Sequence, residues 1–139
     1  MGTAISRSLA GALMARAAAS PGREVCGLLL GGPGRIVSTM PAANLAADPA
    51  DSFELDPAVH IAAIRAARAG GPAVIGHYHS HPNGVARPSP RDAALAFDPL
   101  ALWMIVTDAD ITLWRIRRGA GFVPETLRIE DGGGCEIDA

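Results

Sequence analysis

Three apolar runs close the chain in quick succession, Leu102–Thr107, Ile111–Arg117 and Phe122–Ile129, and the spacers between them are too short to hold a helix. Strands joined this way pair antiparallel, because a parallel pair needs a crossover connection of about a dozen residues or more. A fully parallel, doubly wound sheet is therefore excluded. Upstream the pattern alternates instead. Ile5, Leu9, Ala12, Leu13 and Ala17 mark one face of a first helix, which Ser20-Pro21-Gly22 ends. Glu24 to Leu30 reads as a strand, Gly31-Gly32-Pro33-Gly34 as a turn, and Arg35 to Met40 as the returning strand of a hairpin. Asp56-Pro57 is a cap followed by proline at the first helical position, and it opens a helix that buries Ile61 and Ile64 and turns Arg65 and Arg68 outward. Gly70-Gly71-Pro72 stops it. A strand from Ala73 to His79, a loop to Pro88 and a short helix from Pro90 to about Phe97 complete the series. The expectation is a single α/β domain over residues 1–131, with a mixed sheet flanked by helices. Residues 132–139, opening on three glycines, are expected to be a flexible tail.

A length of 139 residues suits one core. Hydrophobic residues make up 49% of the chain but aromatics only 4%, so bulky core residues are few and belong in the strands. A formal net charge of −2 leaves no basic footprint for nucleic acid. No apolar stretch reaches about 18 residues, so no membrane partner is expected. Cys26 and Cys135 are too few for a disulfide framework, which fits a reducing cytoplasm. The polar, irregular stretch from Pro41 to Ser52 is the best candidate for a surface loop near a substrate.

The chemistry is concentrated in His77-Tyr78-His79-Ser80-His81-Pro82 and Pro88-Ser89-Pro90-Arg91-Asp92. Side chains two apart on an extended backbone point to one side, so His79 and His81 can aim two imidazoles at one point. Asp92, in the first turn of the next helix, can add a carboxylate oxygen. Two nitrogens and one oxygen leave a fourth tetrahedral position for water, the pattern of a catalytic zinc site. A base must then take the proton of the attacking water, and Glu24 is the candidate. Ser89 can donate to the oxyanion of a tetrahedral intermediate. The implied reaction is hydrolysis of an amide bond.

Glu24…His79-Ser80-His81…Ser89-Pro90-Arg91-Asp92 resembles the motif of the JAMM, or MPN-type, zinc metallopeptidases: a distant Glu, His-Ser/Thr-His, seven residues, Ser, two residues, Asp. Here Pro82 to Pro88 are the seven, and Pro90-Arg91 the two. Glu24-Val25-Cys26-Gly27-Leu28-Leu29-Leu30-Gly31 is similar to the family's first core strand, and Ser52-Phe53-Glu54-Leu55-Asp56-Pro57 to its approach to the second helix. About residues 5 to 130 are covered, most like the small stand-alone bacterial members. The resemblance implies the MPN fold, related to that of cytidine deaminases. It implies Zn²⁺ on His79, His81 and Asp92, Glu24 as general base and acid, and Ser89 as the stabilising hydroxyl. It also implies cleavage after the C-terminal tail of a ubiquitin-like or sulfur-carrier protein. His77 departs from the family, where a large apolar or aromatic residue is common.

Each residue also has a plain structural reading. Ser89-x-x-Asp92 is a capping-box-like helix start. His77 reads as structural, or as support for a metal ligand rather than a ligand, His60 as a surface residue and Cys26 as packing. Arg87 and Arg91 read as solvated charges, though both flank the site. Two rival functions remain: a zinc hydrolase of small amides or amino-acid adducts, and a non-catalytic MPN scaffold.

Overall fold

A computed structural model of the chain describes residues 2–95 and 101–137. A short strand β1 (Thr3–Ser6) leads into helix α1 (Arg7–Ala18), whose N-cap is Ser6. A hairpin of β2 (Cys26–Gly32) and β3 (Arg35–Ala42) follows, then helix α2 (Pro57–Arg68) capped by Asp56. Strand β4 (Ala73–Ser80) carries His77 and His79, and helix α3 (Pro90–Leu95) carries Asp92. Strands β5 (Leu102–Val106), β6 (Ile111–Arg117), β7 (Gly121–Glu125), β8 (Leu127–Glu130) and β9 (Cys135–Glu136) complete the described residues.

The strands form one mixed sheet in the order β7-β6-β5-β4-β2-β3-β1-β8, with β9 added beside β3. As the short spacers demand, β6 runs antiparallel to both β5 and β7. The α3 connection instead returns β5 parallel to β4. Alternation along the strands sends each face to its own helix. Leu29, Tyr78, Leu102, Met104 and Val106 pack with Leu9 and Leu13 of α1. Leu28, Leu30 and Met40 pack with Ala63 of α2, and Cys26, Phe53 and Trp103 form a third cluster.

Several boundaries differ from the sequence expectation. Ile5 is fully buried in β1 rather than on a helix, because its backbone pairs with Ile129 of β8. The run Phe122–Ile129 divides at Thr126 into two strands with different partners: β7 on β6, and β8 on β1 at the far edge of the sheet. In α2, Val59 and Ala63 face the core while Ile61 is 52% exposed. The helix meets the sheet on a narrow stripe where alanine allows close approach. Glu24 lies before β2, not in it. The expected end of α3 near Phe97 falls outside the described residues. Nor is the tail loose as far as Ile137. Cys135 and Glu136 pair with Ser38 and Thr39, Glu136 forms an ion pair with Arg16, and Ile137 packs on the Leu28–Met40 cluster. No helix among the described residues is long and apolar enough to cross a membrane.

Tyr78 and Gly27 stand opposite each other across β4 and β2, and the ring lies where a Cβ on Gly27 would sit; Met40 O would be 2.6 Å from that Cβ. Gly27→Ala should therefore displace Tyr78 from the α1 face and destabilise the fold by about 2 kcal/mol. Urea denaturation measures this, and an unchanged midpoint would refute the packing argument.

Candidate metal centre

The centre sits where β4 ends. Cys26 of β2 is opposite His79, and Leu28 opposite His77, so both histidines share the α2 face of the sheet with Phe53 and Trp103. Ser80, between the two motif histidines, points away from them. Its hydroxyl accepts from the N–H of Val25 at 2.8 Å, and its own N–H donates to Val25 O at 2.9 Å. That double clamp holds the residue next to Glu24 against the end of β4. His81 lies one residue past the strand, and its N–H still donates to Val106 O of β5 at 3.0 Å.

Asp92 arrives as expected, from the first turn of α3. Ser89 and Asp92 form a reciprocal cap: Asp92 N–H donates to Ser89 Oγ at 3.1 Å, and Ser89 N–H to Asp92 Oδ2 at 2.8 Å. The cap leaves the Ser89 hydroxyl proton unused and fixes the carboxylate. Asp92 Oδ1 is 3.1 Å from His79 Nε2, Asp92 Oδ2 is 3.0 Å from His81 Nε2, and the two Nε2 atoms are 3.1 Å apart. Ligand atoms of Glu24, His79 and His81 also lie within 4.8 Å of one another. Four donor groups thus converge, all of them buried. Either carboxylate could complete a set with the two histidines. Asp92 is the one in direct contact with both rings.

The hydrogen bonding fits a cation at the centre. His81 Nδ1 is 2.8 Å from Val85 O, which can only accept, so Nδ1 carries the proton. A neutral His81 then turns the Nε2 lone pair toward a carboxylate oxygen and a second imidazole nitrogen. Such a contact is repulsive unless a proton or a metal ion lies between, and a ring held through its far N–H by a carbonyl is the usual support of a metal ligand. A proton on Nε2 is the alternative to a cation, and the same carboxylates favour it. Burial disfavours protonation of His81, but the Asp92 hydrogen bond, the Val85 carbonyl and the Asp92 and Glu24 charges together raise its pKa. Burial lowers that of His79 despite Asp92. Burial works against the charge on Asp92, yet hydrogen bonds from both histidines hold it well below the usual carboxylate range. Burial is also the main cause that pushes Glu24 up to about 7, against the opposing charge of His81. Glu24 Oε1 is buried without a hydrogen-bond partner.

Phe53, which the sequence marks only as part of the approach to α2, stacks on His79 with ring centroids 4.3 Å apart. His77 lies in the same aromatic cluster, edge-on to Trp103 at 4.3 Å, and burial pushes its pKa down to about 3. Its ring also tilts against that of His79 at 6.3 Å between centroids, so it packs behind a donor residue and adds no ligand atom to the convergent set. Cys26 is likewise no ligand: its thiol contacts the carbonyls of Ala42 and Ala43, and burial pushes it up to about 12. His60 is exposed. Arg91 reaches Asp51 at 3.6 Å across an exposed ion pair. A cavity of about 660 Å³ opens between α2 and the sheet, over His77 and Trp103, but none of the four donor residues lines it.

The profile of the Prok-JAB family, prokaryotic homologs of the JAB domain, matches residues 6–117. This chain belongs to that family. Among its relatives, the desampylase of Haloferax volcanii is 35% identical over 91 residues, 64% of this chain and 66% of that protein. The tail tip assembly protein K of Escherichia phage N15 is 35% identical over 96 residues, 69% of this chain but only 37% of that protein. The match therefore spans less than two thirds of either relative. A protein from Desulfitobacterium hafniense, solved in solution, has the same fold at a TM-score of 0.80 and 27% identity, covering 94% of both chains. A JAB1/MPN domain protein from Archaeoglobus fulgidus superimposes at 0.57 and 22% identity over 93% of this chain and 98% of that one. The Prok-JAB chain thus has the α/β MPN fold expected from its sequence.

The reciprocal cap predicts a stability effect that needs no metal. Ser89→Ala removes the acceptor for Asp92 N–H and should cost about 1 kcal/mol. Chemical denaturation of the chelator-treated protein measures it, and no loss would mean that Ser89 does not hold the start of α3.

Proposed function

We propose that this Prok-JAB chain is a zinc-dependent metallopeptidase that hydrolyses a peptide or isopeptide bond after the C-terminal tail of a ubiquitin-like or sulfur-carrier protein. The convergence of His79, His81 and Asp92, with the Glu24 carboxyl close by, carries the reading. His79 and His81, whose Nε2 atoms face each other, and the Asp92 carboxylate would hold the ion. Zinc there would supply Lewis acidity toward a scissile carbonyl and toward water. Glu24 takes a proton from the attacking water and delivers it to the leaving amine. A carboxyl pushed up to about 7 suits a group that must both accept and return a proton near neutrality. The Ser89 hydroxyl, its proton unused by the cap, donates to the oxyanion. The substrate class rests on the archaeal relative, whose name denotes removal of a small protein modifier.

The likeness to a phage tail tip assembly protein favours a second reading, in which the domain serves assembly and not turnover. One experiment separates the two. Wild type, Glu24→Gln and Asp92→Asn are incubated with a diglycine-tailed carrier-protein fusion, followed by intact mass, and their bound metal is quantified. Wild type should cleave directly after the diglycine. Glu24→Gln should keep its zinc yet turn over at least about 100-fold more slowly, and Asp92→Asn should lose both metal and activity. Zinc-loaded wild type that cleaves nothing would favour the assembly reading or a small-amide substrate. Loss of zinc from Glu24→Gln would make Glu24 a ligand and leave the reaction without this base.

A further inference from the structure

Asn44 follows β3 and closes the neck of the loop over residues 44–54. Its amide uses its full hydrogen-bonding capacity. Nδ2 donates to Glu24 O at 2.9 Å and to Ser52 O at 3.0 Å, while Oδ1 accepts from the N–H groups of Ala46 at 3.0 Å and Glu54 at 3.1 Å. Only one orientation satisfies this set. Reversed, the amide would turn its oxygen to two carbonyl oxygens and its NH₂ to two N–H groups.

Glu24 depends on this loop because it lies outside the sheet ladder. Its N–H donates to Pro49 O at 2.6 Å, and its C=O accepts from Asn44. The loop therefore bonds both backbone groups of Glu24. With Oε1 bonded to nothing, the carboxyl takes its aim from the backbone beneath it. The same loop delivers Phe53 to the face of His79, and its far side is tied to α3 by Arg91 through Asp51 and Asp48.

We infer that Asn44 is a positioning residue: by closing the 44–54 loop it fixes the backbone of Glu24 and the Phe53–His79 stack, and so aims the Glu24 carboxyl at the metal centre. The kinetic consequence rests on the proposed role of Glu24; the structural one stands without it. Asn44→Asp is the sharper variant, since it keeps the acceptor for Ala46 and Glu54 but loses both donors, including the bond to Glu24. Asn44→Ala removes all four bonds.

Amide hydrogen exchange of ¹⁵N-labelled protein, read by NMR, tests the structural claim without any substrate. In both variants the Glu24 N–H should exchange at least about tenfold faster, while amides between β2 and β4, such as that of Leu29, change by less than about twofold. Unchanged protection of the Glu24 N–H overturns the proposal. So does a uniform loss across the sheet, which would mark Asn44 as a general stabiliser. On a cleaved substrate, Asn44→Asp should lower kcat about tenfold, with KM and zinc content within about twofold of wild type, and should cost less than about twofold in the Glu24→Gln background because both changes act through one group. Equal losses in the two backgrounds overturn it. A wild type without turnover would defeat the proposed function alone, and the exchange result would still decide the role of Asn44.

Discussion

Cys26 of β2 stands opposite His79 of β4, and a slip of one residue in that register would turn both His77 and His79 to the α1 face. The rest of the centre depends on this pairing. It puts His79 beneath Phe53 and carries His81 just past the strand end, within reach of α3. It also sets Ser80 where it can clamp Val25, so that Glu24 is delivered to the same point from a chain segment 55 residues upstream in the hydrogen-bonded pair. The register is held because the opposite face is committed as well. Tyr78, Leu29 and Met104 fill the core under α1, and Gly27 makes room for the Tyr78 ring.

With that frame fixed, the fold brings like partners together at its own cost. Two imidazole nitrogens 3.1 Å apart meet a buried carboxylate, and a second buried carboxyl lies nearby. Such a cluster is unfavourable unless a cation or added protons balance it. The surrounding shell resolves the conflict in one direction. Val85 O fixes the proton of His81 on Nδ1, and the Ser89 cap holds Asp92 through its backbone bond. Burial leaves Glu24 with a raised proton affinity beside these fixed groups. Rigid donors and one group free to exchange a proton are what metal-assisted hydrolysis requires.

The cluster was legible because its parts are local. His79 and His81 share a face through strand parity, and Ser89 to Asp92 is a helix start whatever else it does. The consecutive C-terminal strands and the Asp56-Pro57 cap were legible for the same reason. The signals that failed were those that needed a distant partner. Ile5 has helical spacing but pairs with β8, and Phe122–Ile129 reads as one strand although its halves join opposite edges of the sheet. The three glycines before Cys135 suggest a loose end, yet the chain returns to β3 because an open strand edge and Arg16 await it.

By itself the sequence determined the donor groups, two imidazoles and a carboxylate in one short segment, since backbone periodicity alone aligns residues two apart on a strand and three apart across a cap. Only the tertiary structure decided what surrounds them. Phe53 on His79, Asn44 across Glu24 and His77 against Trp103 follow from contacts between segments far apart in the chain. A phenylalanine or asparagine in a loop carries no local mark of the partner it will meet. Those contacts arise when burial of the two sheet faces fixes the segments in space, and no property of the isolated residues foretells them.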